Sequence, residues 1–153
     1  MANYDVLFEP ISIGPLTLNN RLFFPGHGTG LSLRNTPGDD YIAYHTARAR
    51  GGVSLNIIEI AQVETPTIYS PQSLRIVSDE QISGYRRFAD ALHAEDTKVF
   101  VQLFHAGREM HKQPDGRLPI AWAPSEVPAD VNFTMPRPMS RAQIAEVVGQ
   151  FAV

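Results

Sequence analysis

Val99-Phe-Val-Gln-Leu-Phe-His-Ala-Gly-Arg108 is an apolar run that carries one amide and ends in a polar, glycine-hinged corner. Lys98 to Leu103 within it reads as a strand. A buried strand rarely tolerates a lone Gln unless a ligand or partner satisfies the amide, so Gln102 is a site candidate. Toward the N-terminus, Val53 to Ile60 reads as a second such strand, rich in β-branched residues and buried on both faces apart from Asn56 and Glu59. Before it, Arg21-Leu-Phe-Phe24 reads as a strand that breaks into Pro25-Gly-His-Gly-Thr29. Several strand ends then meet at one site, which is how barrels of alternating strands and helices build active sites.

Between these strands the periodicity is helical. Asp39 or Asp40 can cap a helix running to Arg50, and Gly51-Gly52 ends it. Ser78-Asp-Glu-Gln81 has the capping-box pattern, and Ile82, Tyr85, Phe88, Ala89 and Leu92 follow on one helical face. Ser140-Arg-Ala-Gln143 repeats the box and opens a helix with Ile144, Val147, Val148 and Phe151. Phe8 to Leu18 alternates around the turn dipeptide Gly14-Pro15 and reads as a hairpin. Two stretches read as long loops: Gln62 to Val77, with Pro66 and Pro71, and His105 to Met139, with Pro114, Pro119, Pro124, Pro128, Pro136 and Pro138. Loops of this length are usually functional or mobile.

Alternating strand and helix units with double-sided apolar strands imply the α/β class and a parallel sheet. Three strands are too few to cover themselves, and a closed (β/α)8 TIM barrel needs eight strands and about 250 residues. The expectation is therefore a hairpin plus about three βα units, residues 1–153 forming the N-terminal portion of an apparently truncated TIM barrel.

Composition narrows the functions. The chain has 153 residues, 43% hydrophobic and 19% charged, with no apolar run long enough to span a membrane. A net charge of -3 leaves no electrostatic footprint for nucleic acid. Met1-Ala-Asn-Tyr-Asp5 lacks the regions of a signal peptide, so the expected location is cytoplasmic. The absence of Cys removes thiolate metal sites, cysteine nucleophiles and cysteine-linked cofactors from this chain.

Gly26-His-Gly-Thr-Gly30 invites a phosphate-cradle reading, but it matches neither the dinucleotide fingerprint nor the P-loop, and a flexible turn or close approach to a flat ligand fits it better. No His-Glu-x-x-His or His-x-His pattern marks a metal, so none is expected. His45 and His93 lie in helices and read as surface or interface residues, whereas His27 and His105 follow strands and are ligand-contact candidates, with structural roles as the alternative. Thr29, His105 and Arg108 are candidate substrate contacts; Arg108 either binds an anion or ties down the loop after it. Glu59 is an acid or base, or a carboxylate paired with a buried Arg. Trp122 stacks on a ligand or anchors its loop.

Leu7-Phe-Glu-Pro-Ile-Ser-Ile-Gly14, Leu18-Asn-Asn-Arg21, Ala49-Arg-Gly-Gly52, Gln102-Leu-Phe-His-Ala-Gly-Arg108, Ala123-Pro-Ser125 and Met139-Ser140 together resemble the Old Yellow Enzyme family of FMN-dependent NADH:flavin oxidoreductases, collinearly from residue 7 to 153. The branch containing 2,4-dienoyl-CoA reductase, trimethylamine dehydrogenase and histamine dehydrogenase is the most similar. The resemblance implies FMN across the C-terminal mouth of an eight-stranded barrel, reduced by NADH or NADPH or by the substrate itself. It places Pro25, Gly26, His27 and Gly28 along the flavin ring, a contact at Ile60, and Gln102 on the pyrimidine edge, whose donors and acceptors an amide matches. The flavin then carries the hydride chemistry.

Relatives often have Thr or Cys at the position of Gly28, and in the trimethylamine dehydrogenase type this Cys bonds the flavin, so the flavin here is expected to be noncovalent. The family's substrate-orienting His-x-x-Asn or His-x-x-His pair, strand-5 arginine, phosphate loops and iron-sulfur cysteines belong to later segments, and no catalytic residue is assigned in this chain. The resulting expectation is an FMN-dependent oxidoreductase acting on a small molecule, reducing an activated alkene or oxidising an amine as a dehydrogenase or N-demethylase. A truncated or split-gene fragment without catalysis of its own is the alternative. Homo-oligomerisation or a complementing C-terminal chain is the partner expectation, with neither nucleic acid nor membrane.

Overall fold

The computed structural model describes residues 4–63, 69–113, 115–131 and 133–152, so Pro66, Pro114 and Val153 lie outside the described residues. Strands β1 (Ile11–Ile13) and β2 (Leu16–Leu18) form the expected antiparallel hairpin, its turn carried by Gly14 at φ +57. The chain then enters a parallel sheet in which β4 (Leu55–Gln62) is central. β3 (Phe23–Phe24) pairs with one edge of β4, β6 (Lys98–Phe104) with the other, and the short β5 (Leu74–Arg75) with its C-terminal end. Helices α1 (Asp39–Arg50) and α2 (Ile82–His93) connect the strands, and α3 (Arg141–Gln150) follows the long loop after β6.

The N-terminal end of the sheet is closed by short side chains. Ser54 Oγ donates to Asn20 O at 2.7 Å, Ser54 N–H to Leu22 O at 3.0 Å and Lys98 N–H to Ser54 O at 2.9 Å, so one residue ties β3, β4 and β6 together. Asn20 Nδ2 donates to Gly52 O at 2.8 Å and its Oδ1 accepts from Leu22 N–H at 2.9 Å, while Thr97 Oγ1 donates to Val53 O at 2.7 Å. Each of these bonds satisfies a backbone group that the ladder leaves over.

The core lies between the sheet and the two helices. Tyr41 and Ala49 of α1, Phe88 and Leu92 of α2, Ile58 and Ala61 of β4, and Leu74 form one buried cluster. The apolar face of α2 is the one its spacing predicts, and Gln81 Oε1 accepts from Ser78 N–H at 3.0 Å as the capping box requires. Helix α1 differs from expectation at its start: Gly38 is the N-cap, while Asp39 and Asp40 occupy the first turn, where carboxylates favour the helix dipole. Asp39 also pairs with Arg87 of α2.

The largest departure is in β4, which runs from Leu55 to Gln62 and not from Val53 to Ile60. Its register against β6 goes from Ile58↔Val101 to Ile60↔Gln102, leaving Glu59 as an extra residue. This bulge breaks the alternation of faces. Asn56 and Glu59, expected to be the exposures in this strand, are buried at 0% and 3%, while Ile57 and Ile60 are partly open.

β6 has β4 as its neighbour on one side only, so Phe100, Val101, Gln102 and Leu103 are exposed. Gln102 is therefore not the buried amide expected. The stretch from His105 to Met139 is not structureless either: β7 (Trp122–Ala123) and β8 (Arg137–Pro138) pair in parallel, and Ala106, Met110 and Ala121 pack against Tyr69 and Phe104. α3 has its capping box, with Ser140 N–H donating to Gln143 Oε1 at 2.9 Å, but Ile144, Val148 and Phe151 are exposed and none of its residues is buried. Among the described residues no helix is long and apolar enough to cross a membrane.

His45 is also buried, at 1%, against Phe24, Tyr41, Tyr44 and Phe88, contrary to the surface expectation. Its helix places it one turn from Tyr41 and Ala49, on the face turned to the sheet.

The packing of α2 depends on Gly84. A Cβ there would lie 2.2 Å from Thr36 Oγ1 and 3.3 Å from Pro37 O. Gly84→Ala must push the helix off the 36–37 segment and is expected to cost about 2 kcal/mol or more, by overpacking. Gly149→Ala in α3 meets nothing within 4 Å. That change should instead stabilise by about 0.5–1 kcal/mol through helix propensity. Urea unfolding of the two variants should show opposite shifts; equal shifts would refute the assigned α2 packing.

Candidate functional site

At the C-terminal ends of β3, β4 and β6 the chain opens a concavity of about 620 Å³ lined by Gly26, His27, Gly28, Gly30, Glu59, Ile60, Tyr69, Ser70, Gln72, Ser73 and Gln102. Parallel strands that end together place the residues after them around one mouth, which is why segments far apart in sequence meet here. Five candidate cofactor contacts, Gly26, His27, Gly28, Ile60 and Gln102, lie on this one surface. Pro25 precedes it. Thr29, His105 and Arg108 are not on its lining.

The floor is shaped by close approach. A Cβ on Gly26 would sit 2.9 Å from Gln102 Oε1 and 3.0 Å from Ile58 O, so glycine lets the segment after β3 pass close beneath the Gln102 amide and the β4 backbone. Gly28 is different: a Cβ there would find only Glu59 Oε2, at 3.9 Å. Its lack of a side chain leaves open space in the mouth. The Gln102 side-chain amide makes no hydrogen bond to any described residue and stands on the lining of the concavity.

Glu59, turned by the bulge, accepts from Thr29 Oγ1 at 2.7 Å and from Thr29 N–H at 3.3 Å. Thr29 is thus a structural clamp on the loop after β3, and the carboxylate's shown partner is a hydroxyl and an amide. Burial raises the Tyr41 and Tyr85 phenols above their usual range, and the negative charge of Glu59 raises both further. Those hydroxyls stay protonated around it.

His27 stands on one wall. Its Nε2 lies 2.9 Å from Tyr44 Oη and its Nδ1 3.5 Å from Pro25 O, and its ring meets the Phe24 ring edge-on at 5.1 Å. The Arg48 guanidinium lies over the Tyr44 ring, 3.4 Å from its centre. Elsewhere, His105 Nδ1 accepts from Gly107 N–H at 3.1 Å, and Arg108 Nη1 donates to Pro128 O at 3.1 Å and pairs with Glu109 at 3.3 Å. Arg108 therefore ties down its loop. Among the described residues no group of three or more His, Asp or Glu is placed to hold a metal.

Sequence reasoning missed the second bank of the mouth, Tyr69, Ser70, Gln72 and Ser73. Asn35 Nδ2 holds this bank by donating to Ser73 O at 2.8 Å, and Tyr69 N–H donates to Gln62 Oε1 at 2.7 Å. The one available signal was the run Tyr69-Ser-Pro-Gln-Ser73, polar and turn-forming just after a strand.

Comparison with known proteins points the same way. Residues 6–153 match the NADH:flavin oxidoreductase / NADH oxidase family. The chain is 34% identical over 154 residues to an NADH oxidase of Thermoanaerobacter brockii, covering 99% of this chain and 23% of that protein. To an NADPH dehydrogenase of Bacillus subtilis (strain 168) it is 32% identical, covering 95% of this chain and 42% of that protein. Among solved structures, morphinone reductase in complex with tetrahydroNAD superposes with a TM-score of 0.83 at 25% identity, over 95% of this chain and 44% of that one. The chain thus spans less than half the length of each of these relatives, and its fold corresponds to part of their barrel.

Directly behind the mouth, His45 should make stability depend on pH. Burial lowers its pKa from 6.5 to about 4; the adjacent Asn56 amide partly offsets this, and His27 and Arg48 reinforce it. Because the folded-state value is the lower one, the folded protein binds fewer protons, and its stability is complete above about pH 6.5 and falls as the pH drops toward 4. The loss approaches about 3 kcal/mol, from roughly 1.4 kcal/mol per unit. Urea midpoints at pH 7 and 4.5 should differ by more in the parent than in His45→Phe; an equal fall in both would reject the assignment to His45.

Proposed function

Because the chain belongs to the NADH:flavin oxidoreductase / NADH oxidase family, we propose that the mouth at the ends of β3, β4 and β6 holds one edge of FMN. The observation that carries this is the convergence of Gly26, His27, Gly28, Ile60 and Gln102 on one concavity, with the Gln102 amide uncommitted beside it. The donor set fits a flat heteroaromatic with alternating donors and acceptors. Gly26 and Gly28 let such a ring approach the backbone, Ile60 supplies an apolar contact, and Gln102 meets both a carbonyl and an N–H on the pyrimidine edge.

When bound, FMN supplies hydride transfer, here from NADH or NADPH to a small organic acceptor such as an activated alkene. What this chain contributes is placement and exclusion. Glu59 and Thr29 fix the loop that faces the ring, and the bank from Tyr69 to Ser73 narrows the mouth. Gly28 has no side chain and these 153 residues include no Cys, so no residue of this chain tethers the flavin through sulfur. Catalysis then rests on the assembled barrel, to which a homo-oligomer or a complementing chain is an added partner proposal.

The decisive variant is Gln102→Leu. Once a flavin covers this position, the change leaves its polar atoms unpaired, a loss of roughly 1–3 kcal/mol, or about five- to hundredfold in FMN affinity. Because Gln102 is exposed without ligand, flavin-free stability should move little. FMN titration followed by amide shifts should perturb Gly26, Gly28 and Ile60 in the parent and require more FMN in the variant. Unchanged affinity in a folded Gln102→Leu chain would rule out the ligand role, and shifts confined to other residues would rule out the site.

A further inference from the structure

We infer that Tyr44 and Arg48 of α1 are positioning residues that hold the His27 ring, as its Nδ1-protonated tautomer, in place as a wall of the pocket. The occupant of that pocket rests on the FMN proposal; the state of the ring does not.

The contacts of the two ring nitrogens carry the tautomer assignment. Pro25 O, 3.5 Å from His27 Nδ1, can only accept, which favours a proton on Nδ1. In that tautomer Nε2 accepts, and the Tyr44 hydroxyl 2.9 Å away is its donor. Arg48 sharpens this polarity. Its guanidinium carbon lies 3.4 Å from the centre of the Tyr44 ring, where a cation draws on the π-electrons and makes the phenol a better donor. Its Nη1 donates to Tyr44 O at 2.8 Å, so the cation is fixed one turn along the same helix.

Phe24 of β3 takes the ring edge-on, with the planes 83° apart. With Nδ1 facing the Pro25 carbonyl just after β3 and Nε2 facing Tyr44 of α1, both ring nitrogens take part in orienting the ring.

The test is a long-range ¹H–¹⁵N spectrum of the histidine-labelled chain at pH 7.5, which reads the tautomer directly. His27 should be Nδ1-protonated in the parent. Tyr44→Phe, which keeps the ring under Arg48 and removes only the hydroxyl, should release Nε2 to take the proton; Arg48→Met should produce a partial change. Amide shifts across β4 and β6 check that each variant is folded. An Nε2-protonated His27 in the parent, or an unchanged tautomer in folded Tyr44→Phe, would overturn the inference. With FMN added, Tyr44→Phe should raise the apparent Kd severalfold, and an unchanged Kd despite a switched tautomer would overturn the link to the pocket. If FMN perturbs no mouth residue in the parent, the FMN proposal fails while the tautomer result still decides the roles of Tyr44 and Arg48.

Discussion

The parallel pairing of β4 with β3 and β6 is the interaction on which everything else in the molecule depends. It sets the strands side by side with their C-terminal ends together, and the residues after each strand then have no choice but to share a mouth. The bulge at Glu59 acts within this ladder. By inserting one residue opposite the Val101 to Gln102 step, it puts Ile60 beside Gln102 and sends Glu59 to the clamp with Thr29. A regular strand would place these side chains on the opposite faces.

The two ends of the sheet show a division of labour. At the N-terminal end Ser54, Asn20 and Thr97 satisfy backbone groups at the sheet's edge. At the C-terminal end the glycines remove side chains where the backbone must come close, and the uncommitted amide of Gln102 stands above Gly26. The Leu18-Asn-Asn-Arg21 motif is thus explained by structure, and the Gly26 to Gly30 segment by the site.

Much of this was legible in the sequence because the signals were local. The capping boxes at Ser78 and Ser140, the spacing of Tyr85, Phe88 and Leu92, and the Gly14-Pro15 turn each specify their own geometry and each formed. The collinear motifs carried the family, and the strand ends at Gly26 to Gly28 and Gln102 gave the mouth. What escaped was set by neighbours distant in sequence. The bulge is a property of β4 against β6, and a single strand's alternation does not encode it. Gln102 was read as buried because its own strand is apolar, yet exposure depends on what lies beside β6, and there the described residues provide β4 alone. His45 was misplaced for the converse reason: a helix residue with a polar ring looks like surface until Phe24, Tyr41 and Phe88 close over it.

That burial has a physical rationale in the architecture. The ring nitrogens of His45 and the amide of Asn56 face each other closely enough to interact but form no hydrogen bond of good geometry among the described residues, a cost a core normally avoids. His45 packs edge-on against Phe24, on which His27 also rests. The sealed N-terminal end and the core between α1 and α2 hold the frame around them. Function commonly sits in such strained places, with rigid elements around them absorbing the cost. Here the frame that absorbs it is the same ladder that aligns the strand ends, so the register of β4 governs both the shape of the site and how much imperfection the fold behind it can carry.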